Sequence, residues 1–88
     1  MGKLKRGTQV ACLPYHAYGD IDHRDVQHGF VVSGPTSERE YFCRFYYKNG
    51  NMRTKANSEL VPVYRIHVYV SRPQEKVEED LIKYCQGE

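Results

Sequence analysis

The stretch that most constrains the fold is Tyr41–Lys48 (YFCRFYYK), which is followed at once by Asn49 and Gly50. A run this rich in aromatic residues favours the pleated, half-buried surface of a β-strand. Asn-Gly pairs readily adopt the left-handed conformations that a two-residue type I′ hairpin turn requires. The sequence therefore predicts that the chain reverses at residues 49 and 50 and returns as a strand over Asn51–Asn57 (NMRTKAN).

A two-residue turn fixes which side chains share each face of this hairpin, because successive side chains of a strand point to opposite faces. Tyr47 then lies opposite Met52 and Cys43 lies opposite Ala56, and this apolar side is predicted to face the core. The other side places like charges opposite each other, which is mildly destabilising and has no evident structural purpose. This predicted outer face consists of Phe42, Arg44, Tyr46, Arg53 and Lys55.

Three further runs are predicted to be strands, namely Thr8–Leu13, Gly29–Ser33 and Leu60–Val70. Pro62 places the start of the last run at a sheet edge or at a bulge. Alternation along that run directs four side chains inward, namely Tyr64, Ile66, Val68 and Val70. It directs three others outward, namely Arg65, His67 and Tyr69.

The end of the chain is predicted to form a helix over residues 72–85. Pro73 stands where a helix tolerates proline, in its first turn. Apolar residues then recur three and four positions apart, which is typical of one helical face. We expect this face to pack on the sheet through Val77, Leu81, Tyr84 and Cys85.

These elements resemble an SH3-like small barrel of the Tudor or KOW kind. The segment Gly7-Thr8-Gln9-Val10 looks like the opening of such barrels, and the polar segment 15–28 occupies the place of their long first loop. The resemblance implies a mainly β fold, a five-stranded barrel with a C-terminal helix packed on it. From the charges of Lys3, Lys5 and Arg6 we also expect a flexible basic tail over residues 1–6, followed by one domain over residues 7–88.

The chain is also similar to short uncharacterised proteins of bacteriophages and other mobile elements. Three segments carry this similarity, namely residues 19–31, 42–44 and 53–59. The similarity implies a genomic setting and no known activity, so it assigns a role to no residue.

Composition limits the class of protein. A chain of 88 residues is one domain with a modest core. Its three cysteines, Cys12, Cys43 and Cys85, are widely spaced and odd in number, which indicates buried thiols in a reducing compartment. No run approaches the length of a membrane helix, and the first ten residues lack the apolar core of a signal peptide. We therefore expect a cytoplasmic protein that does not bind membranes.

The loop before the second strand concentrates Asp20, Asp22 and Asp25 with His23 and His28. The aspartate spacing does not fit a calcium-binding EF-hand loop. The two histidines are five residues apart, so they do not share one helical face. An acid–base pair of Asp25 and His28 would need a cleft that shifts its pKa values.

We therefore expect this loop to be built of polar turns, with neither a metal nor a cofactor and with no catalytic residue. Asp20 is predicted to close an Asx turn, and Asp22 is predicted to cap a helical turn over residues 23–28. His16 and His67 are expected to be surface or hydrogen-bonded histidines.

These observations favour a binding module rather than an enzyme. Cations and aromatic rings on one sheet face can anchor a protein partner. For a phage protein, this partner would be a protein of the host. They can alternatively bind single-stranded nucleic acid, with help from Lys3, Lys5 and Arg6. Three alternatives also remain open. The long cationic side chains could serve only to cover the rings, or the face could bind acidic residues of a second copy of the chain. The chain could also be a very small enzyme whose subunits form a shared pore. The predicted contact residues are Phe42, Arg44, Tyr46, Arg53, Lys55, Arg65, His67 and Tyr69.

Overall fold

The computed structural model describes residues 3–53 and 58–86. These residues form five strands and a C-terminal helix, α1 (Gln74–Tyr84). One-turn 3₁₀ helices lie at Tyr15–Ala17 and Val63–Arg65. The strands are β1 (Gln9–Cys12), β2 (Gln27–Ser33), β3 (Glu40–Phe45), β4 (Glu59–Pro62) and β5 (Ile66–Val68).

All strand pairs are antiparallel and follow the order β4-β3-β2-β1-β5. The edge strands β4 and β5 are joined by only three residues, Val63–Arg65. Four strand spacings in a flat sheet would separate the two edges by roughly 19 Å, whereas a 3₁₀ connection of this length spans roughly 8 Å. The sheet is therefore curled, and it stays open because β4 and β5 do not pair within the described residues. The expectation of a mainly β fold with a C-terminal helix is confirmed.

The curled sheet has a buried cluster on each face. Residues from β1 to β4 fill the inner face, namely Val10, Cys12, Val31, Tyr41, Cys43, Phe45 and Val61. On the outer face, Phe30, Val32, Tyr46 and Met52 pack against Val77, Leu81 and Cys85. Both faces of the central strands are thus shielded from water, one by the curl of the sheet and the other by α1.

The helix prediction is confirmed. Helix α1 begins at Gln74 and ends at Tyr84, and Val77, Leu81 and Cys85 are buried. Tyr84 packs partly buried beside them. No helix in residues 3–53 and 58–86 combines the length and the apolar character that a bilayer crossing requires.

The hairpin prediction is wrong by one residue. Tyr46, not Tyr47, bridges to Met52, and the Tyr47 N–H donates to the Asn51 carbonyl at 2.7 Å. The turn is therefore three residues long, and its left-handed residue is Gly50 with φ +91°, as in the commonest three-residue loops. The Asn49 Oδ1 accepts the Asn51 N–H at 3.0 Å, and this Asx turn replaces the expected two-residue turn.

The predicted return strand over residues 51–57 is described only in part. Within residues 51–53, Met52 forms an isolated bridge, and no strand is present. The stretch Thr54–Asn57, which includes Lys55, lies outside the described residues. The fourth strand of the sheet begins later along the chain, at Glu59.

The run predicted over residues 60–70 is not one strand. It divides into β4 and β5, because the 3₁₀ turn at Val63–Arg65 interrupts the pairing after Pro62. The 3₁₀ turn interrupts the inward and outward alternation of side chains, and β5 lies at an edge of the sheet. Consequently Tyr64, Val68 and Val70 are exposed, and their predicted inward orientation is wrong.

Residues at the start of the chain contact the domain. Leu4 packs against the inner cluster, and its N–H donates to the Tyr41 hydroxyl at 3.0 Å. The Arg6 guanidinium donates to the carbonyls of Val32 at 3.1 Å and Cys85 at 2.9 Å. The prediction of a flexible basic tail over residues 1–6 did not include these contacts.

Candidate binding cleft

The outer face that the sequence predicted is covered where it meets α1. Tyr46 is only 6% exposed and packs with the helix, and Arg44, two residues earlier on the same face of the strand, is 7% exposed. The Arg44 Nη2 donates to the Arg53 carbonyl at 3.4 Å. The exposure predicted for these two residues is wrong: they lie on the outer face of the sheet, but α1 packs over Tyr46, and Arg44 is buried as well.

The remaining predicted contact residues do not form one surface. Phe42 is partly exposed, and His67 is exposed on the opposite edge strand, β5. The Arg53 Nη1 pairs with Glu59 Oε1 at 2.9 Å. The Arg65 Nε donates to the Leu13 carbonyl at 3.2 Å. The described members of this set therefore lie on several surfaces.

Tyr46 holds α1 on the sheet through a buried hydrogen bond. Its hydroxyl donates to Asp80 Oδ2 at 2.6 Å, and Asp80 is 2% exposed. Burial raises the pKa of Tyr46, and the hydrogen bond to Asp80 raises it further. The Lys76 Nζ donates to the other Asp80 oxygen at 3.3 Å, and the Arg72 guanidinium lies 3.6 Å from the centre of the Tyr46 ring.

Beside Tyr46 lies a cleft of about 370 Å³. It is bounded by the β1–β2 loop, the turn after β3 and the segment between β5 and α1. We call it the cationic cleft and define it by Arg24, His28, Tyr47, Lys48, Tyr69 and Arg72. Of the eight residues that the sequence proposed for binding, Tyr46 and Tyr69 line this cleft.

The cleft carries a local excess of positive charge. Arg24, Lys48 and Arg72 line it, against a single carboxylate among the lining residues, that of Asp22. Burial lowers the pKa of His28, and the charges of Arg72 and Lys48 lower it further. The imidazole of His28 is therefore neutral at pH 7 and can present either ring nitrogen as a donor.

Two buried nitrogens of the cleft residues make no hydrogen bond within the described residues. They are His28 Nδ1 and Arg72 Nη1. Buried polar atoms are nearly always hydrogen-bonded in native proteins. These two donors therefore remain unsatisfied, and an acceptor oxygen brought to either of them would be stabilised.

The walls of the cleft are held by contacts between distant parts of the chain. The buried Gln9 side chain accepts the N–H groups of Ser71 and Arg72 at 3.1 and 3.2 Å and donates to the Arg72 carbonyl at 2.7 Å. The Lys48 Nζ donates to the Arg24 carbonyl. The rings of His28 and Tyr69 lie 5.2 Å apart. Gln9 of β1 thus holds the Ser71–Arg72 wall of the cleft in place, although no β1 residue lines the cleft itself.

Sequence reasoning missed the cleft because its residues come from four separate segments. Arg24 belongs to the β1–β2 loop, His28 to β2, Lys48 to the turn after β3 and Arg72 to the segment before α1. The aromatic run Tyr41–Lys48 is one signal, since it contains Tyr47 and Lys48, but the sequence assigns it to the two faces of a hairpin.

The β1–β2 loop is built of consecutive turns. The Asx turn predicted at Asp20 is confirmed, because its Oδ1 accepts the Asp22 N–H at 3.0 Å. The helical turn predicted over residues 23–28 is wrong, because β2 already begins at Gln27. Asp25 pairs with His16 rather than with His28, at 2.7 Å from Nε2 to Oδ2, and this hydrogen bond lowers the pKa of Asp25.

The cysteines are poor nucleophiles. Cys12, Cys43 and Cys85 form no disulfide and are buried, which confirms the expectation of buried thiols. Burial, followed by the proximity of Cys12, raises the pKa of Cys43 to about 12. The reactive form of a cysteine is the thiolate, so Cys43 is unsuited to catalysis at neutral pH.

Comparison of the chain with models of protein families, with curated proteins and with solved structures gives no match. The resemblances to SH3-like barrels and to phage or mobile-element proteins therefore remain predictions.

Proposed function

We propose that the chain is a small binding module without enzymatic activity, and that it holds an acidic segment of a protein partner in the cationic cleft. The observation that carries this proposal is the pair of buried, unsatisfied nitrogens, His28 Nδ1 and Arg72 Nη1. The guanidinium donates, and a neutral imidazole can donate as well. The carboxylates of an acidic segment supply acceptor oxygens for such donors, and the cations Arg24 and Lys48 line the same cleft.

The fold supports a binding module of the SH3-like kind. The last strand returns to pair with the first, a long polar loop separates β1 from β2, and a helix follows the fifth strand. This arrangement supports the proposed likeness to SH3-like barrels, although the sheet is open. Loops that border a rigid sheet are a common location for binding residues.

Charge favours an acidic protein segment over a nucleic acid. Outside Lys3, Lys5 and Arg6 the chain has ten basic and eleven acidic residues, so its long-range attraction for a phosphate backbone is weak. The cleft instead concentrates cations locally. Tyrosine and arginine are also the residues that most often dominate protein interfaces, and Tyr47, Tyr69 and Arg72 stand together here.

Fluorescence anisotropy with a labelled, glutamate-rich peptide of about nine residues tests this proposal. Two comparison probes are the same peptide with glutamine for glutamate and an oligothymidine of similar length. We expect the glutamate peptide to bind most tightly. Replacement of the exposed cations, Lys48→Gln and Arg24→Gln, should each raise its Kd about fivefold or more.

The matched control is Lys5→Gln, which removes one exposed cation that does not line the cleft. It should leave the Kd unchanged. Equal losses for Lys48→Gln and Lys5→Gln would overturn the proposed cleft. Tightest binding by oligothymidine, with a steep dependence on salt, would indicate a nucleic-acid binder instead.

The pKa of His28 offers a second measurement that depends on the cleft itself. An anionic group bound beside Lys48 and Arg72 would offset their repulsion of the imidazolium. We therefore expect saturating glutamate peptide to raise the His28 pKa in an NMR titration. An unchanged pKa in the presence of bound peptide would show that the peptide lies elsewhere.

A further inference from the structure

We propose that the β1–β2 loop binds a divalent transition-metal ion of the zinc class through His16, His23 and Asp25. Each of these residues offers one ligand atom, and the three atoms lie within 4.8 Å of one another. The site borders the proposed peptide contact, since His23 also lines the cationic cleft, but its ligands are two imidazoles and a carboxylate rather than cations.

The three side chains come together because successive turns fold the loop back on itself. The N–H groups of Asp20, His23 and Val26 donate to the carbonyls of Ala17, Asp20 and His23 at 3.0 to 3.1 Å. These turns bring the segment with His23 and Asp25 against the 3₁₀ helix that carries His16. The rings of His16 and His23 lie 5.2 Å apart, edge to face.

The distances suit a small ion after modest side-chain movement. The Asp25 Oδ2 lies 2.7 Å from His16 Nε2 and 3.9 Å from His23 Nδ1. Ligand atoms of tetrahedral zinc lie about 3.3–3.5 Å apart, given bonds of about 2.0–2.1 Å. The Asp25 N–H now donates to His23 Nδ1 at 3.0 Å, and an ion bound at Nδ1 would replace this hydrogen bond.

The donor set selects the class of ion. Imidazole nitrogens suit zinc, nickel and copper, whereas calcium and magnesium prefer sites made entirely of oxygen. Three protein ligands leave at least one position for water or for a group of another molecule. His16 and Asp25 are exposed, so an ion can reach the site from solvent.

The site was not evident from the sequence, because His16 lies seven residues before His23. The obvious pair was His23 and His28, but β2 carries His28 to the cationic cleft. His16, on the 3₁₀ helix, takes its place beside Asp25. Spacing along the chain therefore pointed to the wrong histidine.

Isothermal titration of the whole chain with zinc chloride, in the absence of any peptide, tests this proposal. We expect one ion per chain with a low-micromolar Kd and a higher melting temperature in the presence of zinc. His16→Gln and Asp25→Asn should each weaken binding about tenfold or more. Because protons compete with the metal for imidazole nitrogens, affinity should also fall as the pH is lowered.

Two histidine variants serve as matched controls. His67→Gln changes an exposed histidine of β5, and His28→Gln changes the histidine that the sequence would have chosen; both should keep the wild-type affinity. Unchanged affinity in His16→Gln and Asp25→Asn, or binding only at millimolar zinc, would overturn the site. A lower melting temperature with zinc would also overturn it, because binding to the buried cysteines requires unfolding.

Discussion

The hydroxyl of Tyr46 and the carboxylate of Asp80 form a 2.6 Å hydrogen bond between the sheet and α1. Both residues are buried, and Asp80 is the buried acidic residue of the helix. A carboxylate removed from water needs partners, and here the hydroxyl and Lys76 supply them. The bond therefore fixes where α1 lies on the outer face of the sheet.

Removal of the Tyr46 hydroxyl should destabilise the fold. Tyr46→Phe keeps the ring but leaves one oxygen of Asp80 without its donor, and hydrogen bonds to charged groups contribute about 1.5–3 kcal/mol. We expect the free energy of unfolding to fall by about that amount in urea titrations followed by circular dichroism. The matched change Tyr47→Phe, at an exposed tyrosine, should alter it by less than about 0.5 kcal/mol.

Gly29 occupies a position at which two strands come too close for a side chain. A Cβ added there would lie 1.9 Å from the Arg44 carbonyl oxygen, which belongs to the β2–β3 pairing. Gly29→Ala should therefore cost about 3 kcal/mol or more in unfolding free energy. Gly19→Ala is the control, because its φ of +80° is strained for alanine but its Cβ meets nothing within 4 Å. It should cost only about 1 kcal/mol, and equal costs at the two positions would contradict the close approach.

His28 should make stability depend on pH. Burial, with Arg72 and Lys48, lowers its pKa in the folded state below the ordinary value of 6.5. The unfolded chain then binds more protons as the pH falls through 6.5, so the free energy of unfolding decreases in this window. His28→Gln should flatten the dependence measured between about pH 7.5 and about pH 5.5. The control His67→Gln should keep the wild-type slope, and the same slope in His28→Gln would show that another group is responsible.

Local patterns were sufficient for three of the strands and for the buried face of the helix. The periodicity of Val77, Leu81 and Cys85 correctly predicted the buried side of α1, because a helix with one apolar stripe has one way to bury it. The strands around residues 9–12, 27–33 and 40–45 were likewise predictable from apolar and aromatic runs. The mainly β class with a final helix follows from these elements alone.

Faces and sites were less predictable, because they depend on contacts between distant segments. A tyrosine beside cations is typical of an exposed interface. Tyr46 is instead buried, because it bonds to Asp80, which lies 34 positions away along the chain. A helix that buries an apolar stripe must cover one sheet face, and the sequence did not say which. The same holds for the cationic cleft, whose Arg72 segment is held against β1 by the side chain of Gln9, 63 positions away.

Arg6 joins the start of the chain to the end of α1, and its loss should loosen that end of the helix. Its guanidinium donates to the carbonyls of Val32 and Cys85, and a cation beside the last carbonyls of a helix is favourable. Arg6→Met keeps much of the apolar stem but removes both donors, so we expect unfolding to become easier by about 1–2 kcal/mol. Hydrogen exchange should also become faster at the amide of Cys85, which donates to the Leu81 carbonyl. Lys5→Met, one position away and exposed, should change neither quantity; a matching effect there would mean that only the charge of the segment matters.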